Sequence, residues 1–246
     1  MNICLFDEKE INSPLKANDE RAKHIIKILH KSKGDSFDAG IINGKAGIAT
    51  IEDISASGEI SFSFEEKSDG KPLYPLTLII GFPRPIQLRR LLRDVAGLGA
   101  SKIILTGTEL GEKSYMNSND VKDGAAEKML LDGTVQAAST HVPQLILVQT
   151  LKEAVELTNG ANVVKCALDN RRAKKSLGTF LSEEICGGEK PVVAAIGSER
   201  GWTERERDFL ESYGYTLCSM GKRVLRTESA TTVASSIILD RMGFLD

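Results

Sequence analysis

The sequence predicts an α/β protein with a small β-rich N-terminal unit and a larger C-terminal unit built on a mostly parallel sheet. Three observations carry this. From residue 76 onward, strand-like and helix-like segments alternate, the rhythm of helices crossing over a parallel sheet. Most of those strands are continuous apolar runs, as expected when helices cover both faces. The first 65 residues instead hold short strand-like segments and one helix-like segment.

In the N-terminal unit, residues 36–42, 46–54 and 59–65 read as strands. Ile60-Ser61-Phe62-Ser63-Phe64 alternates as a half-buried strand should, and Ile42-Asn43-Gly44-Lys45 is a hairpin turn signal. A helix is expected from the N-cap pair Asn18-Asp19 to about Lys31, closed by Gly34, with Ala22, Ile25, Ile26 and Leu29 as its apolar stripe. Lys23, Lys27, His30 and Lys31 fall on another face, which is either a solvated surface or a phosphate-contacting stripe. Glu65 through Pro72 is charged, contains Gly and Pro, lacks apolar periodicity and reads as a linker. The chain thus divides into a small β-barrel over residues 1–70 and an α/β domain over 71–246.

In the larger domain, strands are expected at 76–82, 102–106, 145–149, 163–168, 192–196 and 215–219, and helices at 86–98, 119–138, 151–159, 203–213 and 228–241. Thr203-Glu204-Arg205-Glu206 has the form of a capping box.

Bulk properties exclude several classes. The 246 residues carry a formal net charge of -2, so any nucleic-acid binding must come from local basic patches. No run approaches the roughly 18 apolar residues of a membrane span, and the N-terminus lacks the basic and apolar regions of a secretory leader. Cys4, Cys166, Cys186 and Cys218 form no C-x-x-C pair. Buried free thiols in a cytoplasmic protein are expected, with no bound metal.

The chemistry concentrates in two turns. The run Val192 to Ile196 leads into Gly197-Ser198-Glu199-Arg200-Gly201-Trp202, and Met220-Gly221-Lys222-Arg223-Val224-Leu225-Arg226-Thr227-Glu228-Ser229-Ala230 follows the next strand. Backbone amides at strand-to-helix turns are ready donors, and glycine admits a close ligand. The first turn is not G-x-S-x-G, nor G-x-G-x-x-G, and no Walker lysine follows. A nucleotide-like ligand without a phosphate cradle remains, such as S-adenosylmethionine. A basic cluster, Arg171-Arg172-Ala173-Lys174-Lys175, follows the strand ending at Leu168-Asp169, at the same end of the sheet. It is either a solvated loop or a ligand contact. Arg84, Arg89, Arg90 and Arg93 form a second cluster; positive charge at a helix N-terminus opposes the macrodipole, so Arg84 points to a partner.

The block from Met220 to Ala230 resembles the L-G-x-R-I/V-L-R-T/A-E-T-A signature of the ribosomal RNA small subunit methyltransferase E family. Ile196 through Glu206 resembles the family's I-G-P-E-G-G turn, His24 through His30 its H-I/L-x-x-V-L-R segment, and Gln136 through Pro143 its E-Q-x-x-R-x-x-V-P stretch. The resemblance implies the SPOUT (α/β-knot) superfamily: a trefoil-knotted C-terminal domain, an N-terminal PUA-like RNA-binding barrel and a homodimer. The implied reaction is methyl transfer from S-adenosylmethionine to N3 of a uridine in 16S rRNA of the small ribosomal subunit. It implies a cofactor site at Leu168, Ile196, Gly197, Glu199, Gly201, Met220, Gly221, Val224, Leu225, Thr227 and Ala230. It is compatible with catalytic Arg226, which suits a developing anion, and Glu228, which orients Arg226 or accepts a proton. RNA contacts fall to Lys23, Lys27, His30, Lys31, Arg84, Arg171, Arg172 and Arg223. Glu228 has an equally ordinary reading as an acid in the first turn of a helix.

Ser198 and Arg200 replace the family's proline and second glycine, Val135 and Ser139 stand where it has glutamate and arginine, and residues 81–90 depart from its lysine-rich helix start. Two alternatives stay open on the same scaffold: a non-catalytic RNA-binding protein, and a SPOUT methyltransferase with a different RNA target. A nicotinamide oxidoreductase would fit the alternation but not the missing glycine fingerprint.

Overall fold

The computed structural model describes residues 2–160, 162–185 and 190–245, so Cys186 lies outside the described residues. The chain forms two compact units, Met1–Pro72 with Asp132–Val142, and Leu73–Leu131 with Pro143–Asp246.

The first unit is a four-stranded sheet with one helix. Its strands are β1 (Cys4–Phe6), β2 (Ser36–Ile41), β3 (Ala46–Ile54) and β4 (Ile60–Ser68), in the order β1-β2-β3-β4. β1 runs parallel to β2 and the other neighbours are antiparallel. Asn43, at φ 56, turns the β2–β3 hairpin. Phe6, Leu15, Ile25, Phe37, Ile51 and Ile60 form the core. Residues 65–68 are not linker: they extend β4 against β3, with Glu65 opposite Ile48 and Ser68 opposite Ala46. Their side chains are exposed, so the strand needs no apolar alternation there.

Helix α1 (Glu20–Lys27) starts as expected, with the Asp19 carboxylate accepting from the Arg21 amide. It ends a full turn before Lys31. His30 adopts the left-handed conformation at φ 52, and the Lys31 amide folds back onto the Ile25 carbonyl at 3.1 Å. Lys23 and Lys27 therefore share the helix, while His30 and Lys31 lie beyond it. Lys23 is paired with Glu20 at 2.6 Å.

Asp132–Val142 joins the first unit through hydrogen bonds rather than an apolar face. The Thr140 hydroxyl donates to the Gly44 carbonyl at 2.7 Å, the Asn43 amide to the Thr140 carbonyl at 2.8 Å, and the Val142 amide to the Asn43 side chain at 2.8 Å. Gly70, at φ +79, is required here, because a Cβ would lie 2.1 Å from the Thr140 hydroxyl oxygen.

The second unit is an all-parallel sheet of seven strands. These are β5 (Tyr74–Gly81), β6 (Ala100–Thr106), β7 (Gln144–Val148), β8 (Val164–Leu168), β9 (Lys175–Ser176), β10 (Val192–Ile196) and β11 (Thr216–Ser219), in the order β7-β6-β5-β10-β8-β11-β9. The helices are α2 (Pro85–Gly97), α3 (Ala125–Gln136), α4 (Leu151–Glu156), α5 (Leu177–Glu184), α6 (Glu204–Ser212) and α7 (Thr227–Arg241). Ile79, Ile104, Ala167, Ala195 and Leu217 pack one sheet face against α4 and α6. Their neighbours Leu78, Ile80, Cys166 and Ala194 are fully buried as well, on the side where α2, α5 and α7 pack against the sheet and one another. Cover on both faces is why these strands read as continuous apolar runs.

The helix expected over 119–138 begins only at Ala125. Residues Asn119–Val121 form a 3-10 turn, and Asp123 and Gly124, at φ 52 and 76, break the chain before α3. The sequence reading missed β9 and α5. Ser176 caps α5, its hydroxyl accepting from the Thr179 amide at 3.1 Å, and Leu177, Phe180 and Leu181 bury one face. That spacing was a legible signal inside a stretch dominated by charge.

Candidate functional site

The carboxyl ends of β8, β10 and β11 converge on a cavity of about 400 Å³. The Gly197–Gly201 turn forms one wall. Its chain reverses through a hydrogen bond from the Gly201 amide to the Ser198 carbonyl at 2.8 Å, with Gly201 at φ +73 and open space where a Cβ would stand. Gly81 lets β5 touch this turn, since a Cβ there would lie 2.6 Å from the Ser198 amide nitrogen. The loop between β11 and α7 forms the opposite wall with Met220, Arg223, Val224 and Leu225, and the first turn of α7 adds Thr227 and Ala230. Every expected cofactor residue lines this cavity except Gly221, which at φ +95 turns the loop behind it.

The sequence reading missed the third wall. After β8 come Asp169, Asn170 and Arg171, and Arg207 reaches the same place from α6. The Asp169–Arg207 ion pair, at 2.7 Å, is nearly dry, with side-chain exposures of 2% and 3%. The second Asp169 oxygen accepts the amides of Arg171 and Arg172 and so fixes the loop that carries them. Burial alone would push the Asp169 carboxyl up. The bonds from the Arg172 amide, the Arg207 guanidinium and the Arg171 amide outweigh burial and hold it below its ordinary value. Trp202, fully buried behind Gly197, donates its indole N–H to the Leu168 carbonyl at 2.9 Å. The Thr203–Glu206 capping box is present, and the buried Glu206 carboxylate also accepts the Glu109 amide at 2.8 Å. Burial pushes the Cys218 thiol on the cavity wall up to about 12, so it stays neutral.

The basic residues separate into bound and available groups. Arg172 is held by Glu204, Asp208 and Glu211 of α6, so its charge is met within the fold. Arg84, at the N-cap of α2, pairs with Glu199 at 3.0 Å. That carboxylate offsets the charge that opposes the helix dipole. Arg171 and Arg223 line the cavity, as does Arg200. Arg226 is exposed at the N-cap of α7, and Glu228 follows two residues later in its first turn; neither is among the residues that line the cavity. Among the described residues no ion pair joins Arg226 to Glu228, so Glu228 does not hold Arg226 within one chain.

The arrangement offers apolar surface for a heterocycle, turn amides for its polar edge and cationic groups at the mouth. It has no phosphate-binding glycine loop. Comparison with known proteins points the same way. The family of RNA methyltransferase domains matches residues 69–239. A ribosomal RNA small subunit methyltransferase E of Treponema pallidum is 38% identical, covering 97% of this chain and 91% of that protein. A ribosomal RNA small subunit methyltransferase E 1 of Borreliella burgdorferi is 33% identical, covering 98% and 99%. Among solved structures, a ribosomal RNA small subunit methyltransferase E from Neisseria gonorrhoeae bound to S-adenosyl methionine shares the fold at a TM-score of 0.76 and 20% identity, covering 98% and 97%.

The buried pair yields a stability test. Asp169→Asn leaves the buried Arg207 guanidinium with only the exposed Glu204 carboxylate, at 2.9 Å, as counter-charge; breaking a buried pair outright costs about 3–5 kcal/mol, and the remaining partner keeps the loss below that. Because the folded-state carboxyl titrates below the unfolded value of about 3.9, its contribution is complete above that value and is lost as pH falls through the folded value. Thermal unfolding should show a gap between wild type and Asp169→Asn that is widest near neutral pH and closes in acid. A gap independent of pH would contradict the ionised pair.

Proposed function

The chain belongs to the ribosomal RNA small subunit methyltransferase E family of SPOUT methyltransferases, and from that premise we propose that it transfers a methyl group from S-adenosylmethionine to N3 of a uridine in 16S rRNA. The cavity between the two glycine turns carries this reading. Its volume lies in the range of about 300–1,000 Å³ usual for small-molecule sites. Leu168, Ile196, Val224 and Leu225 offer apolar surface to an adenine ring, and main-chain groups of Gly197 and Leu225 can meet its edge. Bound there, S-adenosylmethionine supplies an electrophilic methyl group on a positively charged sulfur.

Uridine N3 is a poor nucleophile while protonated. The protein must take that proton and stabilise the charge left on the base. Arg226 presents a rigid donor fork to the anionic oxygen, and Glu228, on the first turn of the same helix, accepts the proton. Arg171 and Arg223 at the cavity mouth bind RNA phosphates. The first unit, residues 1–72 with 132–142, serves as the PUA-like RNA-binding barrel, with Lys23, Lys27, His30 and Lys31 on its surface, and the second, 73–131 with 143–246, is the knotted catalytic domain.

The active species is a homodimer. Support comes from large apolar side chains left exposed on α2, α7 and the loop before α7: Ile86 at 82%, Val224 at 79% and Val233 at 41%. Such surface marks an interaction site. A partner packed there approaches the cavity mouth, and its arginines act in trans. The cytoplasm suits Cys4, Cys166 and Cys218, which are free and buried. No described helix is long and apolar enough to cross a membrane.

Three outcomes test this reading. S-adenosylmethionine should bind at micromolar Kd, about -8 kcal/mol, and should change the fluorescence of the single tryptophan, Trp202, behind the Gly197 wall. Gly201→Val should abolish binding, and so should Gly201→Asn, whose residue type tolerates positive φ; binding retained by a folded Gly201→Asn protein would remove Gly201 from the site. Arg226→Ala should slow single-turnover methyl transfer by about 10²–10³-fold with cofactor and RNA affinity kept, and Arg226→Lys should also be slow. A wild-type rate would discard the catalytic role, whereas weaker RNA binding alone would make Arg226 a phosphate contact. Sedimentation equilibrium should give twice the 26.7 kDa chain mass, and Ile86→Asp should shift the species toward monomer. A wild-type monomer at micromolar concentration would refute the dimer.

A further inference from the structure

A second cavity, of about 660 Å³, opens at the same edge of the sheet, over the ends of β6 and β7. Its floor is apolar, built from Phe82, Met116, Leu151 and Phe209. Polar groups face in from above. The Thr108 hydroxyl is buried with no hydrogen-bond partner among the described residues, and the exposed Gln149 side chain stands at the rim. Lys113 and Lys152 also stand there; Lys152 makes only a loose, exposed pairing with Glu156 at 3.8 Å. Three acids also line the cavity, each already engaged: Glu109 by the Thr203 hydroxyl at 2.8 Å and Arg205 at 3.7 Å, Glu206 by the Glu109 and Thr203 amides, and Glu112 by the Ser114 amide.

A groove joins the two cavities. It shares Phe82, Gly111 and Glu112 with the second cavity and Ser198, Glu199 and Arg200 with the first, and Arg84, Leu110 and Tyr115 complete it. Arg200 thus stands where the two sites meet, at the position where the family motif has glycine.

We propose that the second cavity takes an unpaired nucleotide of the RNA substrate near the one that is methylated, with the intervening strand lying in the groove under Arg84 and Arg200. This rests on the methyltransferase reading. A nucleobase is flat, apolar on its faces and polar at its edges, which matches an apolar floor with hydroxyl and amide groups around it. Its phosphate meets Lys113 and Lys152. Sequence-specific RNA recognition works mainly on splayed-out bases in single-stranded segments, and an enzyme that acts on a base must in any case draw it out of the stack. A free metabolite would need neither the groove nor the basic rim.

The test uses the full-length protein, a 16S rRNA transcript and two rim variants. Gln149→Trp fills the mouth, and Lys152→Glu reverses the charge of an exposed side chain on α4, so that one variant folds even if the other does not. The expected result is a KM for RNA raised about tenfold in Gln149→Trp, equivalent to ~1.4 kcal/mol, and several-fold in Lys152→Glu, with Kd for S-adenosylmethionine within twofold of wild type. RNA carrying 4-thiouridine should photo-cross-link to peptides containing Met116 or Gln149. A KM within twofold of wild type in every folded variant overturns the proposal, as does an equal loss of cofactor affinity. If the wild-type protein transfers no methyl group, the methyltransferase reading fails by itself, and RNA affinity by fluorescence anisotropy with the same variants still decides the nucleotide site.

Discussion

The Asp169–Arg207 pair is the contact around which the cavity at the ends of β8, β10 and β11 is arranged. It links the turn after β8 to helix α6 in a place with almost no water. An isolated buried charge would be costly, and a buried pair is weak evidence for stability in itself. Its consequence here is geometric. One Asp169 oxygen takes the Arg207 guanidinium and the other takes two successive amides, so the loop carrying Arg171 has one available path. Arg207 also meets Glu204, and Arg172 runs back to three acids on α6. The loop, the helix and, through Trp202 and Leu168, the end of β8 become one body.

This body leaves the remaining walls to glycine. Gly81 allows main chains to touch where a Cβ would collide, a Cβ at Gly197 would fit only tightly at 3.1 Å, and Gly201 takes a conformation that most residues avoid. The cavity is therefore shaped by backbone rather than by long side chains. Such a site is suited to an uncharged heterocycle, and its hydrogen-bonding groups are already in place before a ligand arrives.

Charge is distributed with similar economy. The chain is slightly acidic overall, and several of its arginines are neutralised within the fold. The guanidinium groups that line the cavity, apart from buried Arg207, belong to Arg171, Arg200 and Arg223. A small positive field at one edge of a slightly acidic molecule favours anionic groups at that edge.

Much of this was legible in the sequence because it is local. Continuous apolar runs marked β5, β8 and β10, the Thr203–Glu206 spacing marked the start of α6, and the two glycine turns marked the cavity. Each signal lies within a few residues, where backbone sterics and capping hydrogen bonds act. Asp169 gave no signal, since its partner stands 38 positions away. Arg84 and Glu199 meet across 115 positions, and Arg172 looked like a free cation until α6 supplied its acids. Residues 65–68 lacked periodicity because exposed strand needs none, and 132–142 joined the first unit by hydrogen bonds that leave no apolar pattern. The sequence alone determined most of the strands, helices and turns, wherever the signal was local. Tertiary structure decided which charges are neutralised and which face the cavity, because an ion pair depends on distance in space and not on distance along the chain.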